Sequence, residues 1–337
     1  MSTLTPPPAP VPVAVEVPTP ARPVREHPIE ELRVLPRKPV GRIAPYEHLC
    51  QGCGARTQSV ALSEQCQFCA APLVAEPGGD GQIVPEAVLP FALDRRAVRE
   101  VLRRWSSSRW FAPSALKRIV HAESTKGTYV PHWTFDSFTV SRYEGSHGKH
   151  YYTTSSSTDS SGNTQTTQVR HTRWRPAAGE VRRFFDDVLV LGSHRLDAAR
   201  MVRLEPWPLA ESVPFHPDLL AGHHTLRYEV EPERAFQIAR GRMDRAVHAD
   251  VCRDIGGDAQ RVRWVHTTHH RVTYKLVLLP VWLACYVYAG KQYSVMVNAR
   301  TAEVLGERPF SAGKIAAAIT GSVLTVATLL ILLLALS

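Results

Sequence analysis

The sequence predicts a modular α+β protein: a small metal-held ribbon near the N-terminus, a central α+β domain, and a single C-terminal transmembrane helix. Three observations carry this reading. Four of the six cysteines lie between Cys50 and Cys69, the 22 residues before Ser337 carry no charge, and between these ends helical stretches alternate with strand-like runs. The 337-residue chain is 44% hydrophobic and 21% charged. That composition buries a core and excludes a wholly disordered or collagen-like chain. Six cysteines in so long a chain also exclude a small disulfide scaffold.

Residues 1–45 hold twelve of the 26 prolines, among them Pro6, Pro7, Pro8, Pro10, Pro12, Pro18, Pro20, Pro23 and Pro28. Proline fixes φ and lacks the amide donor, which predicts an extended, disordered tether here. Proline interrupts every apolar run, so no signal-peptide core is present.

Residues 46–74 carry Cys50-Gln-Gly-Cys53-Gly54 and, twelve residues later, Cys66-Gln-Phe-Cys69. Two residues between thiolates turn both sulfurs toward one point, and two such knuckles supply a tetrahedral set. The spacing predicts a rubredoxin-like zinc ribbon with Cys50, Cys53, Cys66 and Cys69 as ligands of one structural Zn²⁺; iron is the rival metal. A segment this short cannot bury enough surface to fold unaided, so the metal stabilises it. Gly54 sits where the chain needs a positive φ after the second ligand, and Ala70 at the equivalent later position is less comfortable. Cys252 and Cys285 read as small core residues.

Residues 84–312 form the α+β domain. Asp94 caps a helix whose Val98, Val101, Leu102 and Trp105 share one face, while Arg95, Arg96, Arg99, Arg103 and Arg104 occupy the others. A second helix runs from Glu231 to about Ile255, with Ala235, Ile238, Ala239, Met243, Ala246 and Val247 on one side and a Gly256-Gly257 stop. Each helix is followed by strands bearing a Pro-x-Trp: Pro131-His132-Trp133 and Pro280-Val281-Trp282, 149 residues apart. This echo reads as two related α+β units packed on one core, with chance recurrence as the alternative. Tyr151 to Gln168 is a Ser/Thr tract read as a flexible hairpin tip or loop.

Residues 315–336 are uncharged and rich in Ile, Leu and Val. As a helix they span about 33 Å, against roughly 30 Å of hydrocarbon. Lys314, Arg308 and Arg300 flank the entry side, which predicts a tail-anchored protein with its N-terminal body in the cytoplasm at the cytoplasmic membrane. Ala317, Gly321, Thr325 and Thr328 form a small-residue stripe suited to self-association.

The 40 Lys and Arg outnumber the 31 Asp and Glu, but the arginines are dispersed along the chain, which weakens the case for a nucleic-acid groove. The Gly-Lys pairs at Lys149, Lys291 and Lys314 lack the following Ser or Thr of a phosphate loop. No nucleophile elbow, His-Glu-x-x-His helix or dinucleotide fingerprint appears. On an extended strand His266 and His270 lie about 13 Å apart, too far for one ion. Asp186-Asp187 reads as a strand start, and Asp254 and Asp258 flank the helix-ending glycines. No catalytic residue is assigned, and the chain reads as a non-enzyme.

The ribbon together with Leu89-Pro90-Phe91, Arg109-Trp-Phe-Ala-Pro113, Gly127-Thr-Tyr-Val-Pro-His-Trp133, Phe185-Asp-Asp-Val188, Arg253-Asp-Ile-Gly-Gly-Asp258, Leu279-Pro-Val-Trp282 and Val297-Asn298 resembles the bacterial transcription-factor-IIB-type zinc-ribbon proteins. These are also described as primosomal N′ (replication factor Y) helicase-like; the missing ATPase motifs contradict that label here. The resemblance implies a membrane-associated adaptor of envelope stress that recruits phage-shock-protein-A-like or flotillin-like partners. The leading expectation is thus a tail-anchored zinc-ribbon adaptor whose partners are proteins and the lipid bilayer. The rival is a membrane-tethered nucleic-acid-binding protein that uses the ribbon and the Arg95–Arg104 helix.

Overall fold

The computed structural model describes residues 24–35, 37, 46–51, 53, 56–59, 61–67, 69–75, 82–107, 125–158, 164–288, 290–306, 320, 322 and 324–328. The strands are β1 (His27–Pro28), β2 (Tyr46–Leu49), β3 (Arg56–Ser59), β4 (Ser63–Gln65), β5 (Pro72–Val74), β6 (Ala87–Val88), β7 (Lys126–Thr158) and β8 (Thr164–Phe185). They continue as β9 (Val190–Leu191), β10 (Val213–Pro214), β11 (His224–Thr225), β12 (Ala259–Tyr288), β13 (Lys291–Asn298) and β14 (Val304–Gly306). The helices are α1 (Arg95–Ser107), α2 (Ala198–Val202) and α3 (Pro232–Ile255).

Twelve strands make one sheet with the path β10-β6-β12-β7-β11-β4-β5. β8 and β9 are added to β7, β1 and β13 to β12, and β14 to β13. The predicted α+β architecture is therefore corrected: strand dominates, and twelve strands form one continuous sheet. Its axis is the antiparallel pair of β7 and β12, in register from Lys126↔Leu283 to Gly148↔Ala259 with two interruptions.

The 149-residue echo lies within that pair. Pro131 faces Leu278 and Pro280 faces Tyr129, so the two Pro-x-Trp segments are related by a local twofold axis through the Val130↔Leu279 pair. The relation extends outward. β6 runs parallel to β12 with Val88 opposite Leu278, and β11 runs parallel to β7 with Thr225 opposite Tyr129. Leu89 N donates to Leu278 O at 3.0 Å, and Leu226 N to Tyr129 O at 2.9 Å. Each buried tryptophan then reaches the other unit's helix. Trp282 Nε1 donates to Leu93 O, just ahead of α1, and Trp133 Nε1 donates to Val230 O, just ahead of α3, both at 2.9 Å. Phe91 meets Trp282 edge-on at 5.3 Å, and Tyr228 meets Trp133 edge-on at 5.1 Å. A buried indole N–H needs an acceptor, and the last carbonyl before each helix provides one.

Both helices begin as the sequence predicts. Asp94 Oδ1 accepts from Ala97 N at 2.6 Å, and Val98 and Leu102 are buried with Val101 and Trp105 packed beside them. α3 starts with Pro232 after extended Glu231 and ends at Gly256 and Gly257, with φ of 65° and 76°. Its buried face is Ala235, Ala239, Met243, Val247, Val251 and Ile255. A four-residue recurrence makes one stripe, and its alanines let the helix lie close on the sheet. Ile238, placed on that face from the sequence, is instead exposed.

Three sequence expectations are corrected here. Residues 24–35 and 37 are no free tether. His27–Pro28 pairs with Tyr274 and Thr273, Leu32 is buried, and Arg37 bonds Glu231 and Glu233; residues 1–23 lie outside the described residues. Apolar anchors at Ile29 and Leu32 outweigh the scattered prolines. The Ser/Thr tract is paired strand over 151–158 and 164–168 rather than loop, because the register of β7 on β8 continues into it. Finally, no helix among the described residues is long and apolar enough to cross a membrane. Of 315–336, only Thr320, Ser322 and 324–328 are described, as helix, and Thr328 Oγ1 bonds Leu324 O of its own turn. A span needs about 20 consecutive apolar helical residues. The transmembrane helix, the tail anchor, the membrane localisation and self-association through that helix are therefore set aside; Ala317 and Gly321 lie outside the described residues.

Because both tryptophans hold equivalent positions, Trp133→Phe and Trp282→Phe are each expected to cost about 2 kcal/mol through a buried carbonyl left unpaired and a smaller ring. Urea denaturation of the two variants checks this, and the expected result is two similar losses.

Candidate metal centre

Cys50 follows β2 and Cys66 follows β4, so each knuckle is carried by a strand end. The two hairpins are anchored differently. β2 and β3 form their own two-stranded sheet, whereas β4 joins the main sheet through Ser63↔Thr225 on β11. Leu62 N donates to Thr225 O at 2.9 Å, and Ser63 Oγ lies 2.8 Å from Thr225 Oγ1. The second knuckle is thereby an extension of the main sheet's edge.

The four predicted ligands come together. All four Sγ atoms lie within 4.8 Å of one another, with Cys50 to Cys69 at 3.5 Å and Cys53 to Cys66 at 3.8 Å. Four Zn–S bonds of about 2.3 Å in a tetrahedron give sulfur separations of about 3.8 Å. Cys50 and Cys66 are buried, and Cys53 and Cys69 are exposed. The cluster is compatible with a structural zinc site. The Ala71 amide favours the Cys69 thiolate, but the Cys50, Cys53 and Cys66 sulfurs outweigh it and push this thiol up to about 12. Four crowded thiols resist ionising without a cation among them. Ala70 does adopt the strained turn foreseen for it, with φ of 59°; Gly54 lies outside the described residues.

The remaining sequence candidates stay apart. His269 turns toward α3, where its Nδ1 is 3.1 Å from Ser137 Oγ and its ring meets Phe236 edge-on. His270 sits beside Phe138 on the opposite face. Asp254 accepts from Tyr143 Oη at 2.6 Å, and Asp258 from His150 N at 2.7 Å, so both tie the long strands to the end of α3. Cys252 is half-buried with Sγ 3.7 Å from His248 Nδ1. The side chain of Cys285 lies outside the described residues.

One cluster escaped the sequence reading. Glu26, Asp136 and Asp187 converge on Lys275, whose Nζ is 2.7 Å from both Glu26 Oε1 and Asp187 Oδ1. Asp187, with φ of 50°, donates its amide to Asp136 Oδ1 at 2.6 Å. Lys275 and Asp187 line a cleft of about 600 Å³ together with Leu189, Glu205, Trp207 and Ser212. Burial raises Asp136 to about 7, with the Asp187 amide opposing and the Glu26 charge reinforcing the rise. Burial also works against the Glu26 charge, yet Lys275 holds that carboxyl below its ordinary value. The lysine already supplies the cation, so the group acts as an ion-pair network joining the N-terminal segment to β7 and β12. No local motif marked it, because its four members are drawn from positions 26 to 275.

No family model matches the sequence. The chain is similar to the uncharacterised protein YdjG of Bacillus subtilis (strain 168), 25% identical over 243 residues that cover 72% of this chain and 68% of that protein.

A carboxyl whose pKa is raised on folding binds its proton more tightly in the native state, so stability contributed by Asp136 is present at acid pH and lost as pH rises through about 7. Carbon-detected NMR is expected to show the Asp136 carboxyl titrating near that value and Glu26 below the ordinary glutamate range. Asp136→Asn is expected to flatten the stability profile between about pH 4 and 7.

Proposed function

We propose that this protein is a non-enzymatic, zinc-stabilised adaptor that binds protein partners on the open face of its long sheet. The observation that carries the reading is the contrast between the two faces of β8, β7 and β12. Tyr143, Phe185 and Val265 turn toward α3 and its core, whereas Phe184 and Trp264 on the other face are 61% and 41% exposed. Among the described residues no helix covers that outer stretch. Arg142 and Arg182, both bonded to Glu180, lie between the aromatics. Exposed aromatics with interspersed arginines are the composition of protein-binding surfaces.

The metal has a structural part in this reading. Four thiolates fill a tetrahedral zinc shell and leave no open position for substrate. Zinc would hold the two knuckles together and, through β4 and β11, seat them on the edge of the sheet. Purified protein is expected to carry one equivalent of zinc by elemental analysis. Cys50→Ser with Cys66→Ser is expected to lose it, together with the dispersed amide signals of residues 46–74; one equivalent of iron would overturn the zinc assignment.

The phage-shock-protein-A-like and flotillin-like proteins implied by the resemblance are the partners to test first. The direct test compares the wild-type chain with Phe184→Ser/Trp264→Ser, with zinc content and melting temperature as folding controls. A stoichiometric partner that binds the purified wild-type protein and binds the folded variant at least tenfold more weakly supports the proposal. Equal binding to both, or no partner for either, overturns it.

A further inference from the structure

β7 and β8 outlast the rest of the sheet. β12 leaves β7 at the Ala259↔Gly148 pair, whereas β7 and β8 remain paired from Lys149↔Arg173 to Thr158↔Thr164. Ten residues at about 3.3 Å each make a free two-stranded ribbon about 30 Å long. Its described side chains are almost all exposed, including Lys149, Tyr151, Tyr152, Arg170, His171 and Arg173. Neither Gly145–Thr158 nor Thr164–Gly179 contains an aspartate or glutamate, yet they hold Lys149, Arg170, Arg173 and Arg175.

The charges are gathered on the ribbon. Directly opposed residues share a face, so Lys149 stands beside Arg173, and His147 beside Arg175 on the next pair of the same face. Like charges placed across a strand pair are destabilising. Among the described residues none of the four cations is held by a carboxylate, and Asp258 at the ribbon's base is engaged by the His150 amide. On α1, by contrast, Glu100 holds Arg103 and Arg104. Farther out, the same face continues with Tyr151 and His171, their rings stacked at 5.3 Å, and Arg173 lies over Tyr151 at 5.7 Å. Beyond these the exposed side chains are mainly Thr, Ser and Gln.

We propose that this ribbon is a nucleic-acid-binding arm that seats in the groove of a duplex. The major groove accepts a two-stranded β-ribbon. Unneutralised Arg and Lys suit phosphates, and hydroxyl and amide side chains along the outer strands suit phosphate oxygens and base edges. An anionic bilayer fits less well, because surface insertion needs an apolar face and the outer ribbon offers only Val169 besides its tyrosines.

The test is fluorescence anisotropy of the full chain with a labelled DNA duplex of about 20 base pairs. Contact by the three cations of that face, Lys149, Arg173 and Arg175, gives a slope of log affinity against log salt of about −2.7, a loss of about fortyfold between roughly 50 and 200 mM salt. Arg173→Ala/Arg175→Ala, on an exposed ribbon, is expected to keep the wild-type melting temperature and reduce the slope by about 2. Arg95→Ala/Arg99→Ala on α1 is expected to bind like wild type. The proposal is overturned by no binding at low salt, by undiminished binding of the ribbon variant, or by wild-type protein that binds phosphatidylglycerol vesicles and ignores the duplex.

Discussion

Everything described in this molecule hangs on the register between β7 and β12. A register slip of one residue would move every side chain to the opposite face. The two Pro-x-Trp segments resist such a slip, because each tryptophan must meet one particular carbonyl, Val230 O or Leu93 O, across the twofold. Each unit's tryptophan therefore holds the segment that leads into the other unit's helix. Neither β6 with α1 nor β11 with α3 has its polar groups satisfied without the other half.

The metal centre and the lysine cluster both follow from that pairing. β11 lies along β7, β4 lies on β11, and the second cysteine knuckle grows from the end of β4. On the other side, Thr273 opposite Asp136 and Lys275 opposite Thr134 set Lys275 and Asp136 on neighbouring strands, where Lys275 pairs with Glu26 and Asp187. Glu26 enters from a short strand paired with Tyr274 and Thr273. The cysteine cluster and the ion-pair network thus link two otherwise weakly held segments, residues 46–74 and the N-terminal stretch, to the same two strands.

The parts legible in the sequence were those with short-range chemistry. Cysteine spacing located the thiol cluster, Asp94 and Gly256 bounded the helices, and Ala70 was foreseen at a strained turn. The misreadings share a cause. Prolines near residue 28 spoke for a tether, but Leu32 and Ile29 found a core made by residues far along the chain. The Ser/Thr run has no apolar alternation and reads as a hairpin tip or loop, while ladder pairing continued from the strands below it makes 151–158 and 164–168 the arms of a hairpin. The apolar stretch 315–336 spoke for a membrane span that no described helix provides.

Sequence alone determined the cysteine cluster and the helix starts, since each rests on groups a few residues apart, and it displayed the recurrence of Pro-x-Trp. Tertiary structure alone decided that the recurrence is a twofold within one strand pair, and that Glu26, Asp136, Asp187 and Lys275 meet. It also decided where the net positive charge counts. In the sequence the one basic surface on offer is the Arg95–Arg104 helix, and the other arginines are dispersed along the chain. Antiparallel pairing sets Lys149 beside Arg173 and His147 beside Arg175, because cross-strand neighbours are fixed by register rather than by distance in sequence.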